Sequence, residues 1–147
     1  MSANLGLIRP PLVYLVMIAL GLLVRPVQWL PSSLSTPMGV VLVLAAVSLF
    51  VSSVRTFRKA GTPVPGNLPT TTLVRAGAYR FSRNPIYVAF TLFQLGLAAW
   101  MNSVALLVTL VPAFALVGVV IRREERYLES RFPAEYPRYK RDVRRWL

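Results

Sequence analysis

Two residue types are missing from this chain of 147 residues: it has no cysteine and no histidine. Without cysteine there are no disulfides, thiolate nucleophiles or thiolate metal sites, and nothing follows about redox compartment. Without histidine the commonest general base and the commonest metal ligand are both gone. Chemistry must then run on carboxylates, tyrosines, arginines, the backbone or a bound cofactor, and no metal site is expected. Acidic residues are scarce too. Glu124, Glu125, Glu129, Glu135 and Asp142 are all of them, against 17 Lys and Arg, so carboxylate chemistry is confined to the end of the chain.

Charge of either sign is absent from three long stretches, residues 10–24, 26–54 and 84–121, the last of them 38 residues long. Crossing the hydrocarbon core takes about 20 apolar residues as a helix, so the third stretch has room for two passes. With 55% hydrophobic residues and a mean hydropathy of +0.55, the chain reads as an all-α integral membrane protein of one domain, 1–147. About four transmembrane helices are expected, at 11–30, 36–54, 86–100 and 103–121. The last two form an antiparallel hairpin through Met101-Asn102-Ser103. Residues 1–7 carry no charged side chain and Arg9-Pro10-Pro11 precede the first apolar run, which speaks against a cleavable signal peptide.

The basic residues set the orientation, because Lys and Arg near helix ends stay cytoplasmic. The loop 55–85 holds Arg55, Arg58, Lys59, Arg75, Arg80 and Arg83, and the tail 122–147 holds nine more, whereas the opposite side has only Arg25. Both termini are therefore expected in the cytoplasm, with Trp29 and Trp100 anchoring the outer interface. This placement accounts for an isoelectric point near 11.4, and no nucleic-acid partner is expected. In the tail, Leu128, Phe132, Tyr136, Tyr139, Val143 and Trp146 recur at helical spacing, although Pro133 and Pro137 call for a break between two short helices. The result is an amphipathic cytoplasmic helical tail whose aromatic stripe faces something apolar.

Turn formers Gly61, Pro63, Pro65, Gly66, Pro69 and Gly77 exclude a long helix from the loop. It ends in Arg75-x-Gly77-x-Tyr79-Arg80-x-x-Arg83-Asn84-Pro85-x-Tyr87, where cationic and aromatic residues gather at the mouth of the third helix. After the apolar hairpin comes Arg123-Glu124-Glu125-x-x-Leu128-x-x-x-Phe132-x-x-Glu135-Tyr136-x-x-Tyr139. The two motifs, in this order around a membrane hairpin, resemble the isoprenylcysteine carboxyl methyltransferase and phospholipid methyltransferase superfamily of integral membrane methyltransferases. The likeness covers roughly residues 57–147.

This resemblance implies an S-adenosylmethionine-dependent methyltransferase with its cofactor pocket at the cytoplasmic membrane face. Gly77, Tyr79, Arg80, Asn84, Tyr87, Glu124 and Glu125 are the cofactor-binding candidates. Gly77 would let backbone approach the cofactor, Tyr79 and Tyr87 would stack on adenine or meet the sulfonium, and Arg80 and Arg83 would hold a carboxylate by paired hydrogen bonds. Glu124 and Glu125 point about 100° apart and take different tasks, one toward the ribose or the adenine amino group and one toward an arginine. Candidates nearer the reacting atoms are Arg83, Glu125, Tyr136 and Arg144, the last two as parts of a lid. Asn84 stands where carboxyl methyltransferase members usually carry histidine, so a proton shuttle at that position is ruled out.

The implied acceptor is lipophilic and enters from the membrane: the carboxylate of an isoprenylcysteine-like compound, or a lipid amine. Membrane lipids are the expected partners, and compactness points to a bacterial inner membrane. The alternative is a noncatalytic scaffold or lipid-binding protein that retains the fold.

Overall fold

The computed structural model describes residues 9–64 and 70–147. The loop positions Pro65, Gly66 and Pro69, and the N-terminal residues 1–7, lie outside them. Five α-helices follow in order: α1 (Pro10–Leu22), α2 (Ser32–Lys59), α3 (Pro85–Trp100), α4 (Val104–Arg131) and α5 (Tyr136–Asp142), with a 3₁₀ turn at Gly77–Arg80 before α3. No strand occurs among the described residues. α2 and α4 are each long and apolar enough to cross a membrane, while α1 and α3 are shorter apolar helices.

Helix limits follow local chemistry and shift several expected boundaries. The first helix stops at Leu22 rather than running on toward residue 30, because Arg25-Pro26 ahead of it disfavours α conformation at the preceding residue. α2 begins at Ser32, earlier than expected, and continues to Lys59. Arg58 and Lys59 in its last turn suit the negative end of the helix dipole. α4 does not end at Ile121 but runs on to Arg131. At about 1.5 Å per residue its 28 residues reach roughly 42 Å, well beyond a 30 Å hydrocarbon core. The turns after Ile121 therefore stand clear of the apolar part and carry the first carboxylates. The break foreseen at Pro133 is present, with α5 restarting at Tyr136 and Pro137 in its first turn.

α2 packs most extensively on α3, α1 packs on α4, and α3 and α4 form the hairpin. A buried cluster of Tyr14, Ile86, Tyr87, Ala113, Val117 and Ile121 joins α1, α3 and α4. A smaller one, Phe57, Val74 and Tyr79, fastens the loop to α2.

At the opposite end of the bundle, the non-helical segment 23–30 is pinned to the α3–α4 turn by Asn102. Its Oδ1 accepts the backbone N–H of Trp29 and of Leu30, both at 2.9 Å, and its Nδ2 donates to the Leu30 carbonyl at 2.8 Å. Asn102 does this at φ +50°, a left-handed conformation that asparagine tolerates and alanine resists. Asn102→Ala is expected to cost about 2–3 kcal/mol, combining lost hydrogen bonds with backbone strain. Asn102→Gly, which loses only the bonds, should cost less. Equilibrium unfolding in mixed micelles checks the order, and an equal loss in both variants would remove strain from the account.

Candidate functional site

Glu124 and Glu125 stand on the first turn of α4 past its apolar run, both buried. Pro85 opens α3, where its missing N–H is harmless. The hairpin then brings Tyr87, one turn into α3, against Glu124: the phenol donates to Glu124 Oε1 at 2.7 Å. Successive helical residues diverge by about 100°, so Glu125 meets other neighbours. Arg83 Nη1 lies 3.0 Å from its Oε1. Arg145 grips it with both prongs of its guanidinium, Nε to Oε1 at 3.0 Å and Nη2 to Oε2 at 2.7 Å. Arg83 and Glu125 side chains are each only 8% exposed, whereas Arg145 is 40% exposed.

After α5 the chain turns back as residues 143–147 and crosses the mouth of the site. The Arg83 backbone N–H donates to the Arg144 carbonyl at 2.9 Å, and the Asn84 side-chain amide donates to the Arg145 carbonyl at 2.9 Å. Trp146 stacks on Phe114 with ring centroids 4.5 Å apart and packs against the Tyr14, Ile86 and Tyr87 cluster. Tyr139 donates its hydroxyl to the Tyr79 carbonyl at 2.7 Å, and Arg75 binds Glu135 at 3.2 Å. The aromatic stripe of the tail thus faces the loop and the helix mouth.

Of the residues singled out in the sequence, Arg83, Asn84, Tyr87, Glu124, Glu125 and Tyr136 come together here. Tyr136 accepts a hydrogen bond from Arg83 Nη1 at 3.4 Å. Tyr79 reaches the site through its carbonyl, while its ring stands edge-on to Phe57 at 5.0 Å and is buried. Arg80 is exposed and makes no hydrogen bond or ion pair with the described residues. Gly77 lies against α2: its φ is +58°, and a Cβ there would meet Thr56 Oγ1 at 2.6 Å. Arg144 contributes its carbonyl, not its guanidinium. Sequence reasoning missed Arg145, whose only signal was membership of the run Arg144-Arg145-Trp146, which does not say which arginine turns inward. Trp146 was singled out only as part of the tail stripe expected to face something apolar, and it packs on Phe114 and the buried cluster.

Burial pushes the Glu124 carboxyl up to about 7, the neighbouring Glu125 carboxylate adds to this, and the Tyr87 hydroxyl pulls the other way. Burial pushes the Tyr136 phenol up to about 12, so it stays neutral. A folded-state pKa above the usual 4.5 for Glu124 means that burying its ionised form is costly. The stability is fully present below about pH 4.5 and is lost as pH rises through 7, on the order of 3 kcal/mol in total. Glu124→Gln keeps an acceptor for Tyr87 and removes the titration. Melting temperatures of ligand-free protein between pH 5 and 8 should fall in the wild type and stay flatter in the variant; parallel profiles would reject this account.

The site retains unmet hydrogen-bonding capacity. Arg83 Nε is buried without a partner among the described residues, an N–H suited to a carboxylate. The second oxygen of Glu124 accepts no hydrogen bond from them and suits hydroxyl or amino donors. This donor and acceptor set fits the amino acid and nucleoside ends of S-adenosylmethionine.

A sequence profile described as phospholipid methyltransferase matches residues 34–135. Among curated proteins, the cobalt-zinc-cadmium resistance protein CzcN of Cupriavidus metallidurans is 49% identical over 70 residues, 46% of this chain and 32% of that protein. An uncharacterised protein of Haemophilus influenzae is 43% identical over 63 residues, 42% of this chain and 100% of that protein. The matched part thus spans about a third of the CzcN protein's length. No solved structure matches. The profile takes in the loop motif, the hairpin and both glutamates of the site, and the chain belongs to the phospholipid methyltransferase family.

Proposed function

We propose that this protein transfers a methyl group from S-adenosylmethionine to a lipophilic acceptor at the cytoplasmic face of a bacterial inner membrane. In this reading α1 to α4 all cross or enter the membrane, both termini are cytoplasmic, and the acceptor arrives laterally from the inner leaflet. The observation that carries it is the meeting of Tyr87 with Glu124 and of Arg83 with Glu125 where α3 and α4 leave their apolar runs.

The cofactor, when bound, supplies an electrophilic methyl on a sulfonium, so the protein has to position the nucleophile and exclude water. Arg83 Nε would hold the carboxylate end, and the free oxygen of Glu124 would accept from the ribose hydroxyls or the adenine amino group. Glu125 keeps Arg83 in place, and Tyr136 and Trp146 keep water out. Asn84, whose amide holds the tail, positions the lid.

A lipid amine is the acceptor that the family match favours over an isoprenylcysteine-like carboxylate. An amine must lose a proton before or after transfer. With one Glu124 oxygen held by Tyr87 and the other given to the cofactor, the proton passes to solvent at the membrane face.

Calorimetric titration of S-adenosylhomocysteine into detergent-purified protein tests the proposal, with Glu124→Ala as the variant and its melting temperature as the folding control. Micromolar binding in the wild type, weakened at least tenfold in the variant, is the expected result. A lipid-extract screen with labelled methyl donor would then identify the acceptor. Folded wild-type protein that does not bind would leave a noncatalytic scaffold.

A further inference from the structure

On the other side of the 3₁₀ turn, α2 bears a polar stripe that the methyl-transfer site does not use. Ser48, Ser52, Arg55, Thr56 and Lys59 follow helical spacing and so share one face. With Val51 and Gly77 they line an open groove of about 510 Å³. Gly77 forms part of its wall, and the Phe57–Tyr79 contact fixes the turn against the helix.

The electrostatics of the groove are one-sided. Arg55 and Lys59 lie four residues apart on one helix face, where like charges repel. No carboxylate offsets them: every acidic residue lies at or beyond position 124, and the ion pairs among the described residues engage Arg75, Arg83, Lys140 and Arg145 instead. The Ser48 and Ser52 hydroxyls have no hydrogen-bond partner among the described residues. Two unpaired cations and the Ser52 hydroxyl, within two helical turns of one another, form a donor set for an oxyanion, and the Ser48 hydroxyl lies deeper on the same stripe.

Its position on the helix selects the kind of anion. The charge-free run of α2 ends at Val54, so Arg55 and Lys59 stand where the helix leaves the hydrocarbon. Ser48 and Val51 lie one to two turns deeper, with exposed Leu44 continuing the same face. A charged end above and an apolar end below match an amphipathic molecule lying along the helix.

We propose that this groove binds the phosphate of an anionic membrane phospholipid, with its acyl chain along Val51 and Leu44, as a site separate from that of the methyl acceptor. The proposal shares with the proposed function only the membrane crossing of α2 and does not require methyl transfer, so loss of S-adenosylhomocysteine binding and loss of lipid retention are separate outcomes.

Native mass spectrometry of purified protein titrated with phosphatidylglycerol or with phosphatidylcholine of the same acyl chains tests it. Saturable retention of one phosphatidylglycerol is expected, with much weaker retention of phosphatidylcholine. Each cation near the surface contributes about fivefold in affinity, so Arg55→Gln/Lys59→Gln should weaken phosphatidylglycerol binding roughly 25-fold. Ser52→Leu, which fills the groove without changing charge, should abolish saturable binding and serves if the double variant does not fold. The charge-matched pair Arg58→Gln/Arg126→Gln, at exposed positions outside the groove, removes only screened long-range attraction and should weaken binding far less than the groove pair. Equal retention of the two lipids, equal weakening by the control pair, or full displacement by millimolar inorganic phosphate would each overturn the assignment.

Discussion

Replacing Glu125 by alanine is expected to destabilise the protein by about 3–5 kcal/mol, because it strands a buried cation. Glu125 accepts from Arg83 and, in bidentate fashion, from Arg145. Arg145 is 40% exposed and can turn to water when its partner is gone, so its share of the loss is small. Arg83 cannot. Its side chain is 8% exposed, and it would keep only the long contact to Tyr136. The double variant Arg83→Met/Glu125→Leu removes both buried charges and fills the space with apolar atoms, and such replacements of a buried pair are often neutral. It should recover most of the lost stability while abolishing S-adenosylhomocysteine binding. Equilibrium unfolding of the wild type, Glu125→Ala and the double variant in mixed micelles measures this. A double variant as unstable as the single one would show that the loss comes from packing rather than from stranded charge.

The second large effect lies at the contact of α2 with α3. A Cβ on Gly39 would come within 2.5 Å of the backbone of Trp100, and one on Gly96 within 2.9 Å of the Val43 backbone nitrogen. The two contacts sit four residues apart on each helix and run in opposite directions, so they mark one antiparallel crossing. Small residues let helices approach closely in lipid, where packing rather than water exclusion holds them together. Main-chain atoms cannot move aside as a side-chain end can. Gly39→Ala should therefore cost about 1–3 kcal/mol by overpacking, and Gly39→Leu more, to the point of losing the folded protein. Gly118→Ala is the control. Its nearest neighbour would be an Arg122 side-chain nitrogen at 3.8 Å, so the substitution should be neutral or stabilise by about 0.5–1 kcal/mol through helix propensity. Size-exclusion profiles and melting temperatures of the three variants test the ranking; Gly39→Ala as stable as Gly118→Ala would refute the close crossing.

The helices themselves were written in composition. Long charge-free runs read as apolar helices, and Pro10, Arg25-Pro26, Pro31, Pro85 and Pro133 stand at or next to helix limits, whereas Pro37 and Pro112 are carried inside α2 and α4. That residues 84–87 meet residues 123–125 was also legible, because a hairpin with a three-residue turn at positions 101–103 sets the start of one helix beside the end of the next; that Tyr87 donates to Glu124 rather than facing outward was not. The sequence further restricted the site to few residue types, since a chain without histidine or cysteine has only its five acids, its arginines and its tyrosines to offer.

Tertiary structure alone decided which of many similar side chains turn inward. Arg80, Arg83, Arg144 and Arg145 are alike as letters, yet Arg83 and Arg145 clasp Glu125 while Arg80 points to solvent. The difference arises because residues 143–147 leave the helical path after α5, which places Arg145 over the carboxylate and Trp146 on Phe114. No periodicity encodes a non-helical segment. Periodicity reports which face of an element is apolar, whereas the course of an irregular segment is fixed by the hydrogen bonds it finds on the surface that the helices have already built.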